Sequence, residues 1–158
     1  MNLSIVTVVG RCVGARDYLQ ATSYTKKLIK ITYIGTFIIS LGEILLLPWI
    51  LKLYSLSPKI THLTYILVMI HNFAAIILWP SSFTLSNGLR AAGDVRFTMI
   101  ISISSMFILR ISFGYILGIV FQMGVIGVWV AMVGDWLLHS IIYIIRFKGD
   151  KWNKFQVI

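Results

Sequence analysis

The chain is poor in charge and poorer in acid. Of its 158 residues 12% are charged, about half the share of an ordinary soluble domain, and only five are Asp or Glu. A domain surrounded by water does not fit that composition. The single cysteine, Cys12, excludes an intramolecular disulfide framework and a two-cysteine zinc site within one chain. No HExxH, GxSxG or phosphate-loop pattern occurs, and the three histidines, His62, His71 and His139, fall on different segments. No catalytic residue, metal site or cofactor is therefore expected, and the chain does not read as an enzyme. His62 reads as a loop residue. Residues 1–9 lack the basic start and small-residue cleavage site of a signal peptide, so none is expected.

What the chain has in abundance is apolar sequence, at 58%. Four runs, residues 31–51, 63–85, 97–121 and 123–145, each exceed the roughly 18 residues that mark a membrane-spanning helix. Strands crossing a bilayer would alternate apolar and polar residues, and these runs do not. The expected fold is all-α and polytopic, with four transmembrane helices over 28–51, 63–85, 97–121 and 123–145 forming two antiparallel hairpins. Residues 1–27 read as a short helix end and a loop, and 146–158 as a tail. Pro80, deep in the second run, removes a helical hydrogen bond and predicts a kink, either a moving part or a static bend relieved by neighbouring serines.

The formal charge of +9 is a topology signal. Eleven cations (Arg11, Arg16, Lys26, Lys27, Lys30, Arg90, Arg96, Arg146, Lys148, Lys151 and Lys154) fall on one side of the spans, and two (Lys52 and Lys59) on the other. That asymmetry places both termini in the cytoplasm and removes the reason to expect nucleic acid. Arg110 remains, inside a span.

Of the acids, Asp17, Asp94 and Asp150 lie between spans, but Glu43 and Asp135 lie within them. A charged group at the helix centre costs at least about 2.5 kcal/mol on insertion scales, so it must face protein or water and find a partner. With a turn near Gln122, Arg110 and Asp135 both sit about 18–20 Å from the turn end, which predicts an ion pair across the hairpin. His139 follows Asp135 at i+4 and joins or competes for that pair. Glu43 and His71 are likewise at matching depth, about 12 Å below the outer edge of the first hairpin. With Asn72 beside them they are a candidate proton or cation site, or else a packing contact between helices. Arg110, Gly114 and Gly118 form one small-residue row, and Gly124, Gly127, Ala131 and Gly134 another, the pattern of close helix packing. Ser102, Ser105 and Ser112 line a cavity or bond their own helix.

Two linked stretches, Trp79-Pro80-Ser81-Ser82-Phe83-Thr84 and Asn87-Gly88-Leu89-Arg90-Ala91-Ala92-Gly93-Asp94-Val95-Arg96-Phe97-Thr98-Met99, resemble the multidrug and toxic compound extrusion (MATE) family. So do Val9-Gly10-Arg11-Cys12-Val13-Gly14-Ala15-Arg16-Asp17, Arg110 with Tyr115-Ile116-Leu117-Gly118, and Gly127-Val128-Trp129-Val130-Ala131-Met132 leading to Asp135-Trp136. The resemblance covers nearly the whole chain but only the end of the family's pattern: the close of span eight, then spans nine to twelve, part of the second of two six-helix lobes.

The resemblance implies a cell-membrane antiporter that expels organic, often cationic, drug-like compounds in exchange for H⁺ or Na⁺. It also implies a first lobe supplied by the same or another chain, without which this chain would not transport. Some members carry an acid in span ten; here that span offers His71 and Asn72. Arg90, Gly93 and Asp94 match the family's loop after that span and are expected to serve structure or gating. The alternatives are a non-transporting membrane scaffold and a fragment of a lipid-linked saccharide flippase.

Overall fold

The computed structural model describes residues 2–149 and Trp152; Asp150, Lys151 and Lys154 lie outside the described residues. These form five helices in chain order: α1 (Asn2–Gly14), α2 (Tyr18–Leu53), α3 (Pro58–Ala91), α4 (Val95–Val120) and α5 (Gly124–Lys148). The last four are each long and apolar enough to cross a membrane. The fold is that of an all-α polytopic membrane protein.

The helices overrun the apolar runs. α2 starts at Tyr18, well before residue 28, and its 36 residues make about 54 Å of helix against a hydrocarbon core of about 30 Å. Hydropathy measures the membrane, whereas helix length is set by propensity and caps. Lys26, Lys27 and Lys30 are good helix formers, and the Asp17 carboxylate accepts the Gln20 N–H at 2.9 Å, closing the helix start at an N-cap.

α1 is tied down by a stripe of one helical face: Ile5, Val9 and Val13 are buried in a cluster with Ala21, Leu85, Leu89, Ala92 and Tyr143. The helix ends in a Schellman turn, with the Asp17 N–H on Cys12 O and the Arg16 N–H on Val13 O, both at 2.9 Å. Arg16 there takes φ 59°, a conformation that costs a non-glycine residue roughly 1–2 kcal/mol. α3 stops in the same way, with the Asp94 N–H on Leu89 O and the Gly93 N–H on Arg90 O, both at 3.0 Å. Here Gly93 supplies φ 93° without a Cβ to strain.

Pro80 does interrupt α3, and the interruption is a π turn over Pro80–Thr84. The Leu85 N–H reaches back to Pro80 O, absorbing one extra residue into the helix. Hydroxyls converge on the preceding carbonyls. Ser81 and Ser140 both donate to Leu78 O, at 3.1 and 3.2 Å, and Tyr33 of α2 donates to Ile77 O at 3.1 Å. The neighbouring serines thus stabilise the break, as membrane helices require. α4 contains two further π stretches, Met106–Phe113 and Ile116–Val120.

The α4–α5 connection falls where the spacing predicts it, at Gln122, whose φ of 54° is followed by 58° at Gly124. Beyond it the two helices touch backbone to backbone. A Cβ on Gly127 would lie 2.6 Å from the Leu117 carbonyl carbon and 2.8 Å from Gly118 N. Gly118 and Gly114 continue the contact more loosely, whereas a Cβ on Gly134 would meet nothing within 4 Å. Only part of the small-residue row is therefore a packing seam. The outward faces of α2 and α4 are apolar and exposed, including Ile38, Leu45, Trp49, Ile108 and Ile119, as expected of surfaces that lipid or further protein covers.

Gly127→Ala is expected to destabilise the bundle by roughly 1–3 kcal/mol, because the added methyl meets backbone that cannot rotate away. Gly134→Ala is expected to leave stability unchanged or slightly raised. Denaturant unfolding of the two variants in micelles checks the contrast.

Candidate functional site

Asp135 sits midway along α5, 3% exposed, and the geometry around it is built by the close α4–α5 hairpin. Ser105 of α4 donates its hydroxyl to Asp135 Oδ1. Arg110, also of α4, brings Nη2 to 3.4 Å from Oδ2, and His139 Nδ1 lies 3.7 Å from the same oxygen. Arg110 and Asp135 thus meet at the depth the turn arithmetic assigns. Arg110 sits within a π stretch of α4, and Ser112 bonds Phe107 O five residues back, in step with that wider winding.

The Asp135 cluster forms one wall of a cavity of about 300 Å³ between α3, α4 and α5. Ser82, Ser86, Asn87 and Arg90 face it from α3, Ser102 and Met106 from α4, and Tyr143 from α5. The π turn separates two adjacent serines: Ser81 bonds Ser140 at 2.8 Å, whereas Ser82 lines the cavity with its hydroxyl buried and unpartnered among the described residues. His139 is buried in the same wall. The imidazole stacks on Tyr143, with ring centroids 5.4 Å apart and planes 5° from parallel. Tyr143 OH bonds Ser102 Oγ at 3.0 Å and lies 3.2 Å from Thr98 O. Arg90 Nε in turn donates to Thr98 Oγ1 at 3.3 Å. A polar chain therefore runs from the middle of α5 to the end of α3.

The Glu43–His71 contact does not form. Matching depth puts two residues on one level, but rotation about each helix axis decides whether they face. His71 turns toward α5, edge-on to the rings of Trp129 and Trp136 at 5.3 and 5.4 Å. Glu43 is exposed on α2. Asn72 is buried and donates to Val68 O of its own helix at 3.0 Å. No group of three His, Cys, Asp or Glu side chains able to hold a metal occurs among the described residues.

The loop after α3 divides. Asp94 is buried and fastened to Arg146 of α5 by two hydrogen bonds, Nε–Oδ2 at 2.7 Å and Nη2–Oδ1 at 3.2 Å, and that guanidinium also lies over the Phe97 ring at 4.4 Å. Arg90, grouped with that loop in the sequence reading, belongs to the last turn of α3 and faces the cavity. Of the three serines left open by sequence, Ser105 and Ser102 look into the site and Ser112 bonds its own helix. Tyr143 was missed, although Asp135, His139 and Tyr143 form an i, i+4, i+8 row that helical spacing would have exposed.

The family model described as MatE matches residues 1–116. The chain belongs to the MatE family. Among curated relatives, this MatE chain is 24% identical to the probable multidrug resistance protein NorM of Thermotoga maritima, over all of the chain and 34% of that protein. It is 26% identical to the uncharacterized transporter YisQ of Bacillus subtilis, over 92% of the chain and 32% of that protein. The chain spans about a third of the length of these relatives. No solved structure is significantly similar.

Asp135→Asn is expected to lower the stability of this MatE chain by roughly 1–3 kcal/mol, since the neutral amide cannot balance Arg110 and carries N–H donors where the site needs acceptors. In a double-mutant cycle with Arg110→Gln, a coupling of at least about 0.5 kcal/mol is expected; a coupling near zero would contradict a working pair.

Proposed function

We propose that this MatE chain supplies part of a cation-coupled efflux antiporter for organic compounds, set in the cell membrane with both termini cytoplasmic, and that protonation of Asp135 is its coupling event. The observation that carries the reading is the Asp135 carboxylate, buried in a membrane span yet on the wall of a polar cavity, held by Ser105, Arg110 and His139. Ionisable groups at membrane depth are costly and mark proton relays and ion pathways. Family membership and the name of the Thermotoga relative support the efflux activity.

The donor set favours H⁺ over Na⁺. A hydroxyl, a guanidinium and an imidazole already face the two carboxylate oxygens, and a bound metal cation would have to displace them. A proton on Asp135 instead cancels the charge that holds Arg110, giving the site two states that differ in one ion pair. Alternating access needs two repeats rocking about a site between them, so this part works with an opposing lobe, and the chain by itself is not expected to transport.

The test is dye efflux from proteoliposomes in which the chain is reconstituted together with a separately supplied first lobe of a MatE-family transporter. An imposed proton gradient should drive efflux of a fluorescent organic cation. Asp135→Asn should reduce the driven rate at least about tenfold, which is about 1.4 kcal/mol on the barrier. Efflux driven by Na⁺ alone, or an undiminished Asp135→Asn rate, would overturn the coupling assignment. Absence of gradient-dependent efflux would favour a scaffold.

A further inference from the structure

The cavity's charge balance points away from a cationic ligand. Its lining holds two guanidinium groups, Arg90 and Arg110, and one carboxylate, Asp135. That carboxylate already faces Ser105, Arg110 and His139. Asp94, just beyond Arg90 in the chain, lines a different hollow and is clasped by Arg146. The cavity therefore carries an excess of one positive charge with His139 neutral, and its single anion is spent.

The donors are not spent. A guanidinium has five N–H bonds in a fixed fork; Arg90 uses Nε on Thr98, and Arg110 directs Nη2 at Asp135. Their remaining N–H groups bond no other described residue. One further polar group sits deep in the same wall. Ser82 is 2% exposed, and its Oγ has no hydrogen-bond partner among the described residues. A buried polar atom left unpaired is costly, so that hydroxyl, between two arginines that are themselves exposed at the cavity's mouth, marks a recess that an acceptor would complete. Phe83 and Met106 add apolar wall.

We propose that this cavity binds a monovalent anionic group, either the carboxylate of a small organic compound or an inorganic anion, between Arg90 and Arg110, with Ser82 completing its hydrogen bonds. Planar, forked donors suit a carboxylate in particular. The site stands on equilibrium geometry and does not require the chain to transport, so its failure and that of the antiporter reading are separable.

Isothermal titration of the whole chain in lipid nanodiscs tests it, with three probes in low-chloride buffer: benzoate, chloride and the isosteric cation benzylamine. Benzoate is expected to bind at one site per chain and benzylamine not to bind. Chloride binding at least as tightly as benzoate would identify an inorganic-anion site; benzoate binding without chloride binding would identify an organic carboxylate site; either supports the proposal. Arg90→Gln is expected to weaken anion binding about tenfold, about 1.4 kcal/mol. Circular dichroism reports whether that variant folds, and if it does not, Ser82→Ala takes its place with a smaller loss in the same direction. Benzylamine binding as tightly as benzoate, no anion binding at all, or anion affinity unchanged in a folded Arg90→Gln chain would overturn the proposal.

Discussion

A carboxylate in the middle of a membrane span has to be surrounded by donors, and the close pairing of α4 and α5 follows from surrounding Asp135. Its donors come from α4 at Ser105 and Arg110 and from the next turn of α5 at His139. That requires two helices close enough for short side chains such as serine to reach across. The backbone contact of Gly127 with Leu117 and Gly118 provides the closeness, and the π stretch of α4 carries Arg110 on the same wall. Packing and electrostatics are one design here: the small residues bring the helices together, and the acid makes that distance necessary.

How much of this was legible in the sequence depended on which coordinate a feature needs. Span number, hairpin pairing and depth are one-dimensional, and counting residues recovers them; the Gln122 turn and the meeting of Arg110 with Asp135 both came from counting. Rotation about a helix axis is a second coordinate, set by packing. Depth alone paired Glu43 with His71, whereas the tryptophans of α5 hold His71 on another face. π turns disturb rotation further, because each absorbs a residue and shifts every later side chain. Pro80 announced a break but not that it would divide Ser81 from Ser82, one bonded within the bundle and one facing the cavity. The i, i+4, i+8 row of Asp135, His139 and Tyr143 lies in a regular stretch of α5, and it was the one part of the site that spacing could have supplied in full.

The site also shows why a charge count over the whole chain misleads when applied locally. The excess of cations reads as membrane orientation, yet Arg90 and Arg110 depart from that role by facing the cavity. Arg146 departs differently, joining Asp94 in a paired contact that fixes the α3–α4 turn to α5. Among the described residues Arg90, Arg110 and Arg146 thus contribute to tertiary structure; depth alone exposed Arg110, whereas the other two were recognisable only once the helix face was known.

The Arg146–Asp94 contact has a mechanical consequence. It closes the bundle at the end where α1 also packs, among Ile5, Val9, Leu89 and Tyr143, whereas residues 52–60 of the α2–α3 turn are exposed throughout. The far end is uneven: α4 and α5 stay in backbone contact there at Gly127, whereas the α2–α3 turn stands clear. A force that spreads the helices therefore meets resistance at Asp94 and along the α4–α5 seam, and least at the α2–α3 turn.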